Sequence, residues 1–245
     1  MSTNFSLVLP CYNEELNINY LYEEFKNLND KNLKKELIFV NNGSTDKTEE
    51  NIDKVIIQSI NDKNSNLIIK KINLSKNQGY GGGIKAGLKI ARGDYIGWTH
   101  ADLQTPLIDF LKLFNLIKNK KKIFGKGVRT NNRGYSGIVS RIHEFLASKI
   151  LGFNLKEINA QPKIFSKDVL EYFTNIPLKW TTLDTYVVYI CLKNKIEINE
   201  ISVIFNNRIY GESKWQNNFS NFIKHIFFNL IYLVQLRFQN EKKKS

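Results

Sequence analysis

The chain has 245 residues, 42% of them hydrophobic and 12% aromatic, enough for an ordinary globular core and too much for a disordered chain. Lys and Arg total 36 against 23 Asp and Glu, a formal net charge of +13 that suits phosphorylated small molecules, anionic lipid or nucleic acid and says little about fold. Cys11 and Cys191 offer neither a disulfide framework nor a CxxC pair, which points to a reducing compartment, and MSTNFSLVLP lacks the pattern of a signal peptide.

Phe5 to Pro10 reads as a short buried strand, followed by CYNEE, where Asn13 is expected to cap a helix with Glu14 and Glu15 in its first turn. Leu16, Tyr20, Leu21, Phe25 and Leu28 then recur at helical spacing. Glu36 to Val40 is a second strand, closed by the turn residues Asn41-Asn42-Gly43-Ser44-Thr45-Asp46 ahead of a helix at about 48–60. Leu67 to Leu74 is a third strand, 80–92 a third helix, Tyr95 to Thr99 a fourth strand and 107–119 a fourth helix. This alternation predicts an α/β fold, a single doubly wound and mostly parallel sheet with flanking helices. Ile123 to Arg129 reads as a further strand, and Ser136 to Leu151 as a helix carrying Arg141 and stopped by Gly152.

His100, Asp102 and Gln104 follow the fourth strand at alternating positions, so in an extended chain all three point the same way. An imidazole, a carboxylate and an amide oxygen at the C-terminal end of a buried strand suit a divalent metal, Mn2+ or Mg2+. The competing expectation is that Asp102 or Thr105 caps a helix opened by Pro106. Gly81, Gly83 and Ala86 match a dinucleotide fingerprint, but in the third strand-helix unit instead of the first. The simpler reading is a glycine-rich helix start that lets the backbone approach a ligand or another strand closely.

LVLPCYNEE, IFVNNGSTDKT, LSKNQGYGGGIKAG and ARGDYIGWTHADLQT, in that order, resemble the signatures of family 2 glycosyltransferases with the GT-A fold. The resemblance implies a nucleotide-diphosphate sugar donor in a pocket formed by Pro10, Tyr12, Glu14, Asn41, Asn42, Ser44, Asp46, Gly79, Gly82 and Lys85, with a metal at His100, Asp102 and Gln104. Two departures stand out: the acidic pair of the second motif is Asn41-Asn42 here, and the first Asp of the D-x-D is His100. Asn retains an acceptor oxygen and adds a donor, and His still ligates Mn2+, so an altered base site and a weakened metal site are expected.

NAQPKIF and FNNRIYGESKW are similar to the polyprenyl-phosphate glycosyltransferases, the group that includes dolichol-phosphate mannose synthase. That similarity implies Arg208 and Lys214 on the donor diphosphate, Arg129 and Arg141 near a lipid phosphate, and Asp102 and Arg208 in catalysis. A lipid phosphate is already an anion and needs no strong base. A saccharide hydroxyl does need one, and Asp184 is the candidate.

Apolar residues recur from Phe219 to Val234, but the charge-free stretch Ile226 to Leu236 covers roughly 17 Å as a helix and contains Asn229 and Gln235. It reads as an amphipathic C-terminal helix, packed on the domain or lying on an anionic membrane beside Arg237 and Lys242-Lys243-Lys244. The expected organisation is a transferase domain over 1–215 and the helix with its basic tail over 216–245, cytoplasmic and peripheral on the inner face of the membrane. Alternatives are a saccharide acceptor, a dinucleotide-dependent oxidoreductase, or a non-catalytic nucleotide-sugar binder. Charge alone favours nucleic acid and no fold signature accompanies it, so no nucleic-acid partner is expected.

Overall fold

Side chains alternate along Phe5–Cys11 (β1), sending Phe5, Leu7 and Leu9 into one apolar cluster and Val8 into another. Leu37 and Phe39 against Ile38 and Val40 on Lys35–Asn42 (β2) repeat the division. A strand apolar on both sides must be covered on both faces, which is what a doubly wound sheet provides. The computed structural model describes residues 3–28, 33–62, 64, 66–131, 134–173, 175–177, 180–208 and 219–239.

Seven strands form one sheet, completed by Leu67–Leu74 (β3), Tyr95–Trp98 (β4), Ile123–Arg129 (β5), Lys163–Ser166 (β6) and Glu197–Val203 (β7) in the order β3-β2-β1-β4-β6-β5-β7. Every pairing is parallel except those of β6, which runs antiparallel to both β4 and β5. The helices are Ile18–Lys26 (α1), Thr48–Asn61 (α2), Gly79–Ile90 (α3), Leu107–Ile117 (α4), Gly134–Leu151 (α5), Trp180–Lys193 (α6) and Phe219–Gln239 (α7). α1, α2 and α4 cover the Leu7 face, and α3, α5, α6 and α7 cover the Val8 face. Gly152, with φ +75°, stops α5 as expected.

Close packing accounts for two glycines of α3. A Cβ at Gly83 would lie 2.9 Å from Pro10 Cβ, and one at Gly87 would lie 2.3 Å from Val8 Cγ1, so α3 rides directly on β1. Lys35 is 4% exposed on β2, yet its ammonium is satisfied by the carbonyls of Phe25, Lys26 and Leu28 at 2.7, 3.0 and 2.8 Å. It thereby caps the C-terminal end of α1.

Two local expectations are corrected. Asn13 does not cap α1, which begins at Ile18; with φ +57° it instead accepts from the Thr45 amide at 2.9 Å. Neither Asp102 nor Thr105 caps α4, because Glu24 Oε1 accepts the Leu107 amide at 2.6 Å.

α7 buries Leu233 and Leu236 in the Val8-side core, and Asn229 Nδ2 pairs with His143 Nε2 of α5 at 2.9 Å. Among the described residues no helix is long and apolar enough to cross a membrane. Lys214 and the basic tail lie outside the described residues, as does the boundary expected at 215/216.

Candidate functional site

β1 and β2 end side by side, and the loops that leave them are stitched together. The Asn13 amide donates to Ser44 Oγ at 3.1 Å, the Glu14 amide to Thr48 Oγ1 at 2.8 Å and the Glu15 amide to Asp46 Oδ2 at 3.2 Å. Ser44 and Asp46 therefore hold backbone, and the second Asp46 oxygen takes the Thr48 amide at the head of α2. Pro10 and Tyr12 are half-buried beside them, and Lys85 is exposed on α3.

Both asparagines of the second motif are 3% exposed and fully engaged. Asn41 Oδ1 accepts the Ser44 amide, and its Nδ2 faces Glu49 Oε2 and Asn73 Oδ1, each at 3.3 Å. Asn42 clasps the glycine loop: Oδ1 accepts the Gln78 amide at 3.0 Å, while Nδ2 donates to Gly79 O at 2.9 Å and Asn77 Oδ1 at 3.3 Å. Gly79, at φ +77°, gives the loop its turn, and a Cβ at Gly82 would lie 2.5 Å from Gln78 Cβ.

After β4 the chain turns where an extended run was expected, because Leu103 has φ +60°. Asp102 and Gln104 nonetheless meet on one group. Arg208 sets Nη2 3.1 Å from Asp102 Oδ2 and donates Nε to Gln104 Oε1 at 3.3 Å. Asp102 is 5% exposed, and its Oδ1 takes the Gln104 amide at 3.2 Å. The His100 ring packs against Tyr80 with centroids 4.9 Å apart and planes tilted by 35°. Desolvation holds this imidazole below its ordinary range, against the pull of Asp102 and Asp184. Glu14 is pushed up to about 7, chiefly by burial, with Asp102 and Asp46 adding to it and the Asn17 amide and Arg208 opposing.

Asp184, the candidate base, is paired with Lys163, a partner that motif reading did not assign to it. Lys163 is paired in β6 register with Trp98, and its Nζ lies 2.9 Å from Asp184 Oδ1 and donates to Ala160 O at 2.8 Å. Gln161 Nε2 reaches the other Asp184 oxygen at 3.5 Å. The signal was available: a lysine inside an apolar strand segment needs a buried anion. Asp184 lies one turn into α6.

Arg129 and Arg141 have different surroundings. Arg129 Nε is bound by Glu157 Oε2 at 2.7 Å, and its buried Nη2 has no hydrogen-bond partner among the described residues. Arg141 is exposed on α5, beside a hollow lined by Ile138, Ile142, Phe145 and Leu146.

A neutral imidazole, one carboxylate and one amide oxygen suit a borderline metal, but among the described residues no three His, Cys, Asp or Glu side chains are grouped to hold one. By chemistry alone these donors suit a cation whose shell would be completed by oxygens from elsewhere, and the structure brings Asp102 and Gln104 together on Arg208.

A family model described as glycosyl transferase family 2 matches residues 6–173. The chain is 29% identical over 224 residues to a dolichyl-phosphate beta-glucosyltransferase of Trichomonas vaginalis, covering 82% of this chain and 65% of the relative. It is 27% identical over 234 residues to an undecaprenyl-phosphate 4-deoxy-4-formamido-L-arabinose transferase of Photorhabdus laumondii, covering 93% of this chain and 65% of that protein. Glucosyl-3-phosphoglycerate synthase from Mycobacterium tuberculosis, in its complex with Mn2+, uridine diphosphate and glucosyl-3-phosphoglycerate, superposes with a TM-score of 0.67 at 18% identity, covering 96% of this chain and 80% of that one. That likeness establishes the fold, which is of the GT-A type.

Proposed function

The chain belongs to glycosyl transferase family 2, and from that premise we propose that it transfers a sugar from a nucleotide-diphosphate donor to a polyprenyl phosphate at a membrane surface, inverting the anomeric carbon. The observation that carries the donor half is the convergence of Asp102, Gln104 and Arg208 beside the joined loops of β1 and β2. A guanidinium at that point is suited to diphosphate oxygens as negative charge grows on the leaving group. His100, Asp102 and Gln104 would hold a divalent cation, Mn2+ or Mg2+, which supplies Lewis-acid neutralisation of the same leaving group.

The acceptor half rests on Asp184. It is 2% exposed and shares its charge with Lys163, so it is poorly placed to take a proton from a hydroxyl. An acceptor that arrives ionised removes that need. The named activities of the two relatives, on dolichyl and undecaprenyl phosphates, support the same choice.

A membrane surface is supported by apolar side chains turned outward. Ile138, Ile142 and Phe145 on α5 are 54%, 55% and 61% exposed, at helical spacing. Phe228, Ile231, Val234 and Phe238 on α7 are exposed as well, and Arg237 Nη1 ties α7 to Ile150 O at 2.6 Å. Arg141, Lys149 and Arg237 accompany these stripes, matching an anionic cytoplasmic leaflet.

The deciding experiment offers the full chain radiolabelled UDP- and GDP-sugars with polyprenyl phosphate in anionic vesicles, and separately with oligosaccharides. Label extracted into lipid supports the proposal. Transfer to oligosaccharide alone overturns the acceptor, and no transfer at all alongside normal nucleotide binding favours a non-catalytic binder.

A further inference from the structure

Two of the three side chains assigned to a metal already hold a cation that belongs to the chain. Arg208 touches Asp102 Oδ2 at 3.1 Å and Gln104 Oε1 at 3.3 Å. Its segment is strapped down from the same loop, since Gln104 Nε2 donates to Asn206 O and the Asn206 amide donates to Gln104 O, both at 2.9 Å. Asp102 carries the one formal negative charge among His100, Asp102 and Gln104, and a single guanidinium cancels it. A divalent ion arriving alone finds little net charge to attract it and must displace a charge-assisted hydrogen bond. A diphosphate reverses both conditions, because it offers Arg208 a better-matched anion and brings hard oxygen ligands of its own.

Resting on the donor reading above, we infer that Arg208 is a resident counter-cation: it fills the cation position of the nucleotide-free chain, and a divalent metal enters together with the nucleoside diphosphate as Arg208 passes from Asp102 and Gln104 to the phosphates. The site then takes metal and diphosphate as a pair. The substitution of a carboxylate by His100 is part of the same arrangement, since a second carboxylate would leave net negative charge to hold a free metal.

The test is Mn2+ binding followed by electron paramagnetic resonance, without turnover, on the full chain and on Arg208→Gln and Asp102→Asn. Wild type is expected to bind Mn2+ alone weakly and at least about tenfold more tightly with saturating UDP or GDP. Arg208→Gln should bind Mn2+ alone about tenfold more tightly than wild type, the worth of one charge-assisted contact, while losing about tenfold in nucleoside diphosphate affinity. Asp102→Asn should lose Mn2+ under both conditions. Should Arg208→Gln melt early, Arg208→Lys makes the same comparison with a smaller gain, because one ammonium does not span both oxygens.

Mn2+ affinity unchanged or weaker in Arg208→Gln overturns the inference, as does equal wild-type affinity with and without nucleotide. A wild-type chain that binds neither UDP nor GDP with any metal sinks the donor reading itself. Normal nucleotide binding with an unresponsive Arg208 variant sinks the counter-cation alone.

Discussion

Lys163 Nζ stands 2.9 Å from Asp184 Oδ1, with the two side chains 0% and 3% exposed. Burial pushes the lysine down to about 8 against the pull of Asp184. Such a pair adds little net stability, but either partner alone is a buried charge without compensation. Lys163→Met and Asp184→Leu should each cost about 3–5 kcal/mol in urea unfolding, and the double variant should recover most of that loss. The double variant should still glycosylate a phosphate acceptor. Loss of turnover at near-native stability would instead make Asp184 the base.

Glu14 gives the fold a pH dependence. Its folded value, about 7, lies above the ordinary 4.5, so between these limits the folded chain retains a proton that the unfolded chain has released. The associated stability is complete below 4.5 and is lost as pH rises through 7. After allowance for partial exposure, about 1–2 kcal/mol should disappear across that window. Urea midpoints from pH 4.5 to 8 should slope downward less steeply in Glu14→Gln than in wild type; parallel slopes would acquit Glu14.

The outward face of α5 is open to a direct test. Ile142→Ser with Phe145→Ser removes two exposed apolar side chains, so melting should barely change. Each contributes about 1.5–3 kcal/mol when buried, so co-flotation with anionic vesicles should fall by more than tenfold. Retained flotation would place the membrane contact elsewhere.

The first four strands were legible because each is a mainly apolar segment bounded by turn residues, even β3 with Lys70 and Lys71 in its middle, and helical spacing filled the gaps between them. The antiparallel insertion of β6 between β4 and β5 was not, since four residues, KIFS, carry no mark of their direction or neighbours. At the site, local spacing suggested that Asp102 and Gln104 act together and the family resemblance brought Arg208 to the same donor site, but neither showed that Leu103 turns the chain or that Arg208, 104 positions beyond Gln104, contacts both side chains. Contacts of that separation are decided by the sheet, which carries β7 and the segment after it back toward the end of β4. Lys163 is the intermediate case: its chemistry demanded a buried partner, and only packing could say that the partner is Asp184.

Asn42 stands where the family resemblance expects an acid, and restoring the acid should do harm. Its Oδ1 accepts the Gln78 amide, a role an aspartate could keep. Its Nδ2 donates to Gly79 O at 2.9 Å and Asn77 Oδ1 at 3.3 Å, and a carboxylate has no proton for either. Rotating the Asn77 amide would not rescue the contact, because Asn77 Oδ1 also accepts the Gly79 amide at 2.7 Å. Asn42→Asp thus sets an anion against a carbonyl in a nearly dry position, at a cost of about 1–3 kcal/mol. For a chain of this size that is a fall of about 2–4 °C in Tm per kcal/mol. Nucleoside diphosphate affinity should fall too, since the glycine loop that Asn42 clasps would loosen. An Asn42→Asp variant with native Tm and tighter nucleotide binding would show that the amide is dispensable and that the loop is held by packing alone.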